Sequence, residues 1–216
     1  APSCVAARLA YNRRMAAVPL LRPASLDDLL KSIHDGVACE IIAGELVEKA
    51  AGDIRHGAAP AELTTRVHGG YNRRPRSGGP LGGWWIRTEV DIWFADDVYR
   101  PDLSGWRRDR VPVLPDEWPV PIAPDWVAEV LSASTAKRDL TVKMRGYHAA
   151  GVSHYWVVDR QHELFIVYQR TERSYEILLT GTIGETVRAA PFEGIEIDVG
   201  RLFGVESDDE PGDAPG

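Results

Sequence analysis

Glu129 stands in the run Trp126-Val127-Ala128-Glu129-Val130-Leu131, where every neighbour is apolar. A carboxylate in a buried strand must be paired, protonated or bound to a metal, because an uncompensated buried charge is costly. Downstream, Leu140, Lys143, Met144 and Tyr147 recur at the spacing of one helix face. A lysine on that inward stripe can snorkel to the edge. Alternatively it meets Glu129, since strand, short loop and helix fold back over the same sheet end. Asp102 follows Pro101, which restricts the chain to an extended entry and lets the aspartate aim inward from a strand start. Two carboxylates beside a lysine suit a hard cation such as Mg²⁺ or Mn²⁺, which binds through one or two carboxylates and keeps several waters. Such an ion can activate water and stabilise charge developing on a phosphodiester. A structural Glu129–Lys143 salt bridge is the competing reading of the same residues.

The elements that must position these groups follow from local patterns. Ser25 before Leu26-Asp27-Asp28 reads as a helix cap, with the helix ending near Ile33 and Asp35-Gly36. Residues 39–42 and 45–48, split by Ala43-Gly44, read as a hairpin or a bulged strand pair. Leu63, Val67 and Tyr71 mark a weaker helix over 55–71. Residues 84–94 predict one long strand, and 99–105 a second. Residues 126–131 have the continuous apolar character of a central buried strand. Ser134 or Thr135 caps a helix running to about Ala150 and stopped by Gly151. Strands follow at 154–158, 164–168, 175–179 and 185–189. The fold class expected is α/β (α+β), a single domain over 21–205. Residues 1–20 are expected to be a disordered extension, with Met15 as a candidate start, and 206–216 a disordered acidic tail.

Composition narrows the class without choosing a partner. The 216 residues include 44% hydrophobic and 26% charged side chains, the profile of an ordinary globular protein. The net charge of -7 comes from the last segment, where residues 185–216 carry nine acids and two bases. Residues 55–110 hold ten arginines against seven acids, so an acidic total does not exclude nucleic acid. Cys4 and Cys39 make no disulfide framework and point to a reducing, cytoplasmic setting; Cys39 reads as a small buried hydrophobe. No run reaches the roughly 18 apolar residues of a membrane-spanning helix, so no membrane partner is expected.

The ordered set Glu40-Ile-Ile-Ala-Gly-Glu45-Leu-Val-Glu48, His56, Arg100-Pro-Asp102, Pro124-Asp-Trp-Val-Ala-Glu129-Val-Leu-Ser132, Lys143 and Gly151-Val-Ser-His-Tyr-Trp-Val-Val-Asp159 resembles the Uma-type restriction endonuclease family, a branch of the PD-(D/E)XK nuclease superfamily. The resemblance covers about residues 24–205. It implies a restriction-endonuclease-like mixed β-sheet flanked by helices, with extra C-terminal strands. It implies DNA as the partner, Asp102 and Glu129 as ligands of Mg²⁺ or Mn²⁺, and a Val130 backbone carbonyl on the same ion. The superfamily's usual lysine position, two residues after the acid, is Leu131 here, and the resemblance places the catalytic lysine on the helix at Lys143. Glu45 corresponds to an acid that holds a second metal or orients water. His56 and Tyr147 are candidates for the rim, and a homodimer is expected by analogy with nucleases that cut both strands.

The remaining motifs are sparse. No histidine has metal-ligand spacing, and no phosphate-cradling loop, dinucleotide fingerprint or serine elbow occurs. Among the tryptophans, 84, 85, 93 and 126 read as core, and Trp106-Arg107-Arg108 is the one candidate for a base-stacking platform. Three functions therefore stand: a metal-dependent DNA endonuclease, a hydrolase of another phosphodiester such as RNA, and a non-catalytic binding or assembly module with a structural Glu–Lys pair.

Overall fold

A computed structural model describes residues 22–49, 57–75 and 81–205. The extension, His56 and the acidic tail lie outside these residues. Helix α1 (Leu26–His34) opens with a reciprocal cap between Ser25 and Asp28, as its sequence predicts. Strands β1 (Cys39–Ile42) and β2 (Glu45–Glu48) form an antiparallel hairpin. Ala43 and Gly44 at its tip both take positive φ, the geometry of a two-residue turn. Helix α2 spans 58–71 and widens to a π-helical turn over Thr64–His68.

The single strand expected over 84–94 is instead β3 (Trp84–Thr88) and β4 (Ile92–Phe94). Glu89 between them adopts φ of 54°, which no extended strand tolerates. The two halves join different sheets. In the same way, residues 97–107 divide into β5 (Asp97–Tyr99) and β6 (Leu103–Arg107) at Arg100-Pro101. Then come β7 (Trp126–Leu131), helix α3 over 136–149 with a π-helical turn at Asp139–Lys143, and β8 (His154–Asp159). Strands β9 (Leu164–Arg170), β10 (Tyr175–Thr182), β11 (Thr186–Val187) and β12 (Ile197–Asp198) follow, and the short α4 (Val199–Leu202) closes the fold.

The main sheet runs β10-β9-β8-β7-β6-β3, antiparallel except for the parallel β7–β8 pair that α3 connects. A smaller antiparallel sheet runs β2-β1-β5-β4. The protein is thus a mixed α+β fold with a mixed sheet flanked by helices. No helix among the described residues is long and apolar enough to cross a membrane.

Strand β7 is buried along its whole length and alternates between two cores. Trp126, Ala128 and Val130 pack with α2 residues Leu63, Val67 and Tyr71, and with Phe192 and Leu202. Val127 and Leu131 face the other way, with Tyr147 of α3, Tyr99 and Tyr155. The alternation leaves Glu129 on the second face, directly under α3. A third cluster seals α1 onto the small sheet through Leu29, Cys39 and Ile41. Cys39 is buried, as its sequence context predicts.

A buried carboxylate–lysine cluster as candidate active site

The register of β6 on β7 pairs Leu103 with Ala128, which carries Asp102 to the position opposite Glu129. Likewise β3 pairs Thr88 with Leu103, and the Glu89 N–H donates to the Asp102 carbonyl at 3.2 Å. Three acids thus lie in a row across three adjacent strands. Asp102 is 3% exposed. Its Oδ2 accepts the Val130 N–H at 2.7 Å, and its Oδ1 accepts Lys49 Nζ at 2.8 Å. Burial works against its charge, but Lys49, the Val130 N–H and Lys143 outweigh it and hold the carboxyl below its usual range.

Glu129, also 3% exposed, accepts Lys143 Nζ at 2.7 Å and the Tyr147 hydroxyl at 2.6 Å on the same Oε1. Burial pushes this carboxyl up to about 8, against the pull of Lys143. Helix α3 delivers both donors from one face, as the stripe through residues 140–147 predicts. Its π-helical turn presents Asp139 inward as well, 3.7 Å from Lys143; such widened turns recur at functional sites. Burial raises the Asp139 carboxyl. Lys143 is itself buried, yet Glu129, Glu40 and Asp139 keep it firmly protonated.

Two further residues, neither of them among the expected site residues, complete the cluster. Glu40 of β1, 1% exposed, reaches Lys143 Nζ at 2.8 Å and accepts the Arg100 N–H at 2.6 Å through Oε1, while its Oε2 accepts no hydrogen bond from the described residues. Its signal was present: Glu40 lies in Cys-Glu-Ile-Ile, an acid in an apolar strand, the pattern that singles out Glu129. Lys49 follows β2, and its ammonium is held by both Glu89 oxygens at 2.9 and 2.8 Å, by the Arg100 carbonyl at 2.9 Å and by Asp102. No local pattern marks it. Burial opposes its charge, but Asp102, Glu129 and Glu89 raise it nonetheless. Arg100 in turn forks onto Asp91 at 2.7 Å through two nitrogens, which braces the segment entering Asp102.

Glu45 is exposed at the tip of the hairpin and is not brought into the cluster. Tyr147 is fully buried against Glu129, Phe94 and Tyr99, as part of the wall rather than the rim. The Val130 side chain points into the opposite core while its N–H serves Asp102. Trp106 is fully buried with its N–H on the Ile122 carbonyl, so it offers no face to a base.

Glu40, Glu89, Asp102, Glu129 and Asp139 therefore surround only two ammonium groups, Lys49 and Lys143. Glu89 has a half-exposed side chain and is the most open of the seven, which puts the mouth of the cluster beside Lys49.

Comparison with known proteins agrees with this architecture. A solved structure described as "a putative nuclease belonging to DUF820 from Anabaena variabilis ATCC 29413" superposes with a TM-score of 0.65 at 22% identity, covering 84% of this chain and 98% of that one. No curated protein matches. The model of the Uma2 family, described as "Putative restriction endonuclease", matches residues 25–200, from the cap of α1 into α4. The match takes in the hairpin of Glu40, the entry to β6, β7 and all of α3, and the chain belongs to the Uma2 family.

Proposed function

We propose that this protein is a metal-dependent endonuclease that hydrolyses DNA phosphodiester bonds at the Asp102–Glu129–Lys143 cluster. The observation that carries the reading is the charge imbalance of that cluster: five carboxylates converge on two lysines, and among the described residues two buried oxygens, Glu40 Oε2 and Asp139 Oδ1, accept no hydrogen bond. A hard cation is the missing complement. Among the described residues no three His, Cys, Asp or Glu side chains are grouped as a metal cage. A Mg²⁺ ion needs fewer, since it usually keeps several waters and takes one or two carboxylates. The donor set fits: the Lys49 ammonium already sits among carboxylate oxygens and a carbonyl, the hard donors such a cation prefers.

Asp102 and Glu129 would hold the ion, with the Val130 carbonyl as a further ligand. When bound, Mg²⁺ or Mn²⁺ supplies Lewis acidity at the phosphate and lowers the pKa of water. Lys143 orients Glu129 from one side and carries a fixed positive charge beside the reacting phosphate, where charge develops in the transition state. Tyr147 fixes the rotamer of Glu129 through its 2.6 Å hydrogen bond, so that the carboxylate does not reorganise on binding. Glu40 anchors Lys143 from the small sheet.

Supercoiled plasmid incubated with purified protein in Mg²⁺ or Mn²⁺ tests this, because one nick changes its mobility. Nicking that requires metal and is lost in Asp102→Asn and Glu129→Gln is expected. Nicking that survives in both variants would refute the assigned site. Absence of nicking, with no heat of Mn²⁺ binding, would leave the non-catalytic module as the better reading.

A further inference from the structure

We propose that Arg87 and Arg108, held at the Trp85 ring on the outer edge of β3, together with Arg74 of the adjoining segment, form the surface that grips the phosphate backbone of duplex DNA beside the carboxylate cluster. The inference rests on the nuclease reading for its choice of partner and on separate residues for its evidence.

Strand β3 is the last strand of the main sheet, so among the described residues its outer side has no neighbouring strand. Trp85 pairs with Trp106 and shares the sheet face of Asp102 and Glu129. Arg87 lies two residues further along the same face, and Glu89, at the mouth of the cluster, two further again. The edge is therefore a track that leads into the site. The Arg108 guanidinium lies 3.3 Å from the Trp85 ring centroid, and Arg87 lies 5.5 Å from the same centroid. Trp85 is itself fixed by its N–H on the Val111 carbonyl at 2.9 Å. Arg108 is fixed by its Nε on the Trp84 carbonyl, and Arg87 by Asn72. The loop carrying Arg74 is held against the base of the same edge, where Gly83 N–H meets the Arg73 carbonyl and Arg108 N–H meets the Gly83 carbonyl.

These arginines stand close together without an acid, unlike several others of the chain. Arg66, Arg107, Arg110 and Arg188 each meet a carboxylate, on Glu62, Asp109, Asp125 and Glu196. Among the described residues Arg74, Arg87 and Arg108 meet none. They repel one another instead: burial lowers the Arg108 pKa, and Arg74 and Arg87 lower it further. Like charges held together by ring stacking and backbone hydrogen bonds are a standing cost, which an anionic polymer removes. The ring of Trp85 is already covered by Arg108, so it is not free to stack a base. The contact is to phosphate, whose oxygens a guanidinium can take in pairs.

Fluorescence anisotropy of a labelled 20-base-pair DNA duplex in EDTA, titrated across a series of KCl concentrations, tests the surface without any cleavage. Each phosphate contact contributes about 0.9 to the slope of log K against log salt. The Arg87→Gln/Arg108→Gln variant should therefore flatten that slope by about 1.8, with at least a tenfold loss of affinity at low salt. Lys31→Gln/Arg173→Gln, equal in charge and away from β3, should leave the slope unchanged, and Arg108→Lys should retain it. Thermal unfolding of each variant separates lost contacts from lost structure. A wild-type slope in the double variant, or a wild-type protein that does not bind duplex, would overturn the proposal. Preferential competition by an RNA duplex of the same length would overturn the choice of DNA. Binding that behaves as expected in a protein that never nicks plasmid would instead overturn the catalytic reading alone.

Discussion

Lys49 Nζ sits 2.8 Å from Asp102 Oδ1, and the same ammonium is shared by both oxygens of Glu89 and by the Arg100 carbonyl. A tethered cation thus occupies an oxygen cage at the mouth of the cluster, next to one of the two carboxylates proposed to hold the metal. The lysine and a divalent ion then compete for Asp102. Lys49→Met is expected to bind Mn²⁺ about tenfold more tightly, the equivalent of about 1.4 kcal/mol. Isothermal titration calorimetry of both proteins reads this directly. Weaker binding in the variant would show that Lys49 supports the metal site rather than competing with it.

Lys143 holds together Glu40, Glu129 and Asp139, which arrive from β1, β7 and its own helix. Removing one partner of a buried ion pair costs about 3–5 kcal/mol, because the remaining charges stay buried and unpaired. Lys143→Met should lose stability on that scale in metal-free urea unfolding, and adding Glu129→Gln should restore part of it. Equal stability of Lys143→Met and wild type would mean that the cluster does not depend on this charge. Destabilisation of this size does not separate a structural lysine from a catalytic one; nicking by Lys143→Met, assayed at a temperature where the variant is folded, does.

The two acids of the hairpin should behave differently. Glu40 is buried on Lys143, and Glu45 is exposed at the hairpin tip. Glu40→Gln is expected to abolish nicking or reduce it by at least 100-fold, a loss of roughly 2.7 kcal/mol of transition-state stabilisation. Glu45→Gln should stay within about twofold of wild type, under roughly 0.5 kcal/mol. A large loss in Glu45→Gln would restore the role that the family resemblance assigns to it.

Glu129 also predicts a pH dependence. Its folded value, raised from 4.5 to about 8, lies above that of the unfolded chain. Between those values the folded protein keeps a proton that the unfolded chain releases, so stability falls as pH rises through the window. Glu89 and Asp139, raised by burial, act in the same direction, while Asp102 acts in the opposite one. Calorimetric melting of the metal-free protein should show a melting temperature that declines from about pH 5 to about pH 8, and Glu129→Gln should flatten the decline. Stability that rises over this range would contradict a proton held on Glu129.

Gly146 tests the placement of α3. A Cβ there would lie 2.6 Å from Tyr99 Oη and 2.7 Å from its Cε2, and Tyr99 is buried and tied to Asp97. The ring is stacked on Phe94 and would have to break its bond to Asp97 to move, so Gly146→Ala should cost about 1–3 kcal/mol despite the better helix propensity of alanine. It should also reduce nicking by displacing Lys143, one turn away. A stabilised variant in urea unfolding would show that the helix moves freely on β7.

Local sequence was sufficient where a single element carries the information. The apolar run around Glu129 determined a buried strand with one charge in it, and the spacing from Leu140 to Tyr147 determined which helix face carries Lys143. Ser25 and Asp28 determined the start of α1, and Ala43-Gly44 the hairpin turn. Glu40 was legible by the same reasoning as Glu129. The tertiary structure alone decided which charges meet. Residues 84–94 have continuous strand character, and only the left-handed turn at Glu89 sends β4 to another sheet and leaves that carboxylate at the mouth of the cluster. Trp106 beside two arginines resembled an exposed platform, whereas burial of its ring within the sheet assigned the stacking to Trp85. Lys49 ends a short strand with nothing local to mark it. It belongs to the cluster because the small sheet and the main sheet meet at Arg100, an approach between segments 51 residues apart that no local period encodes.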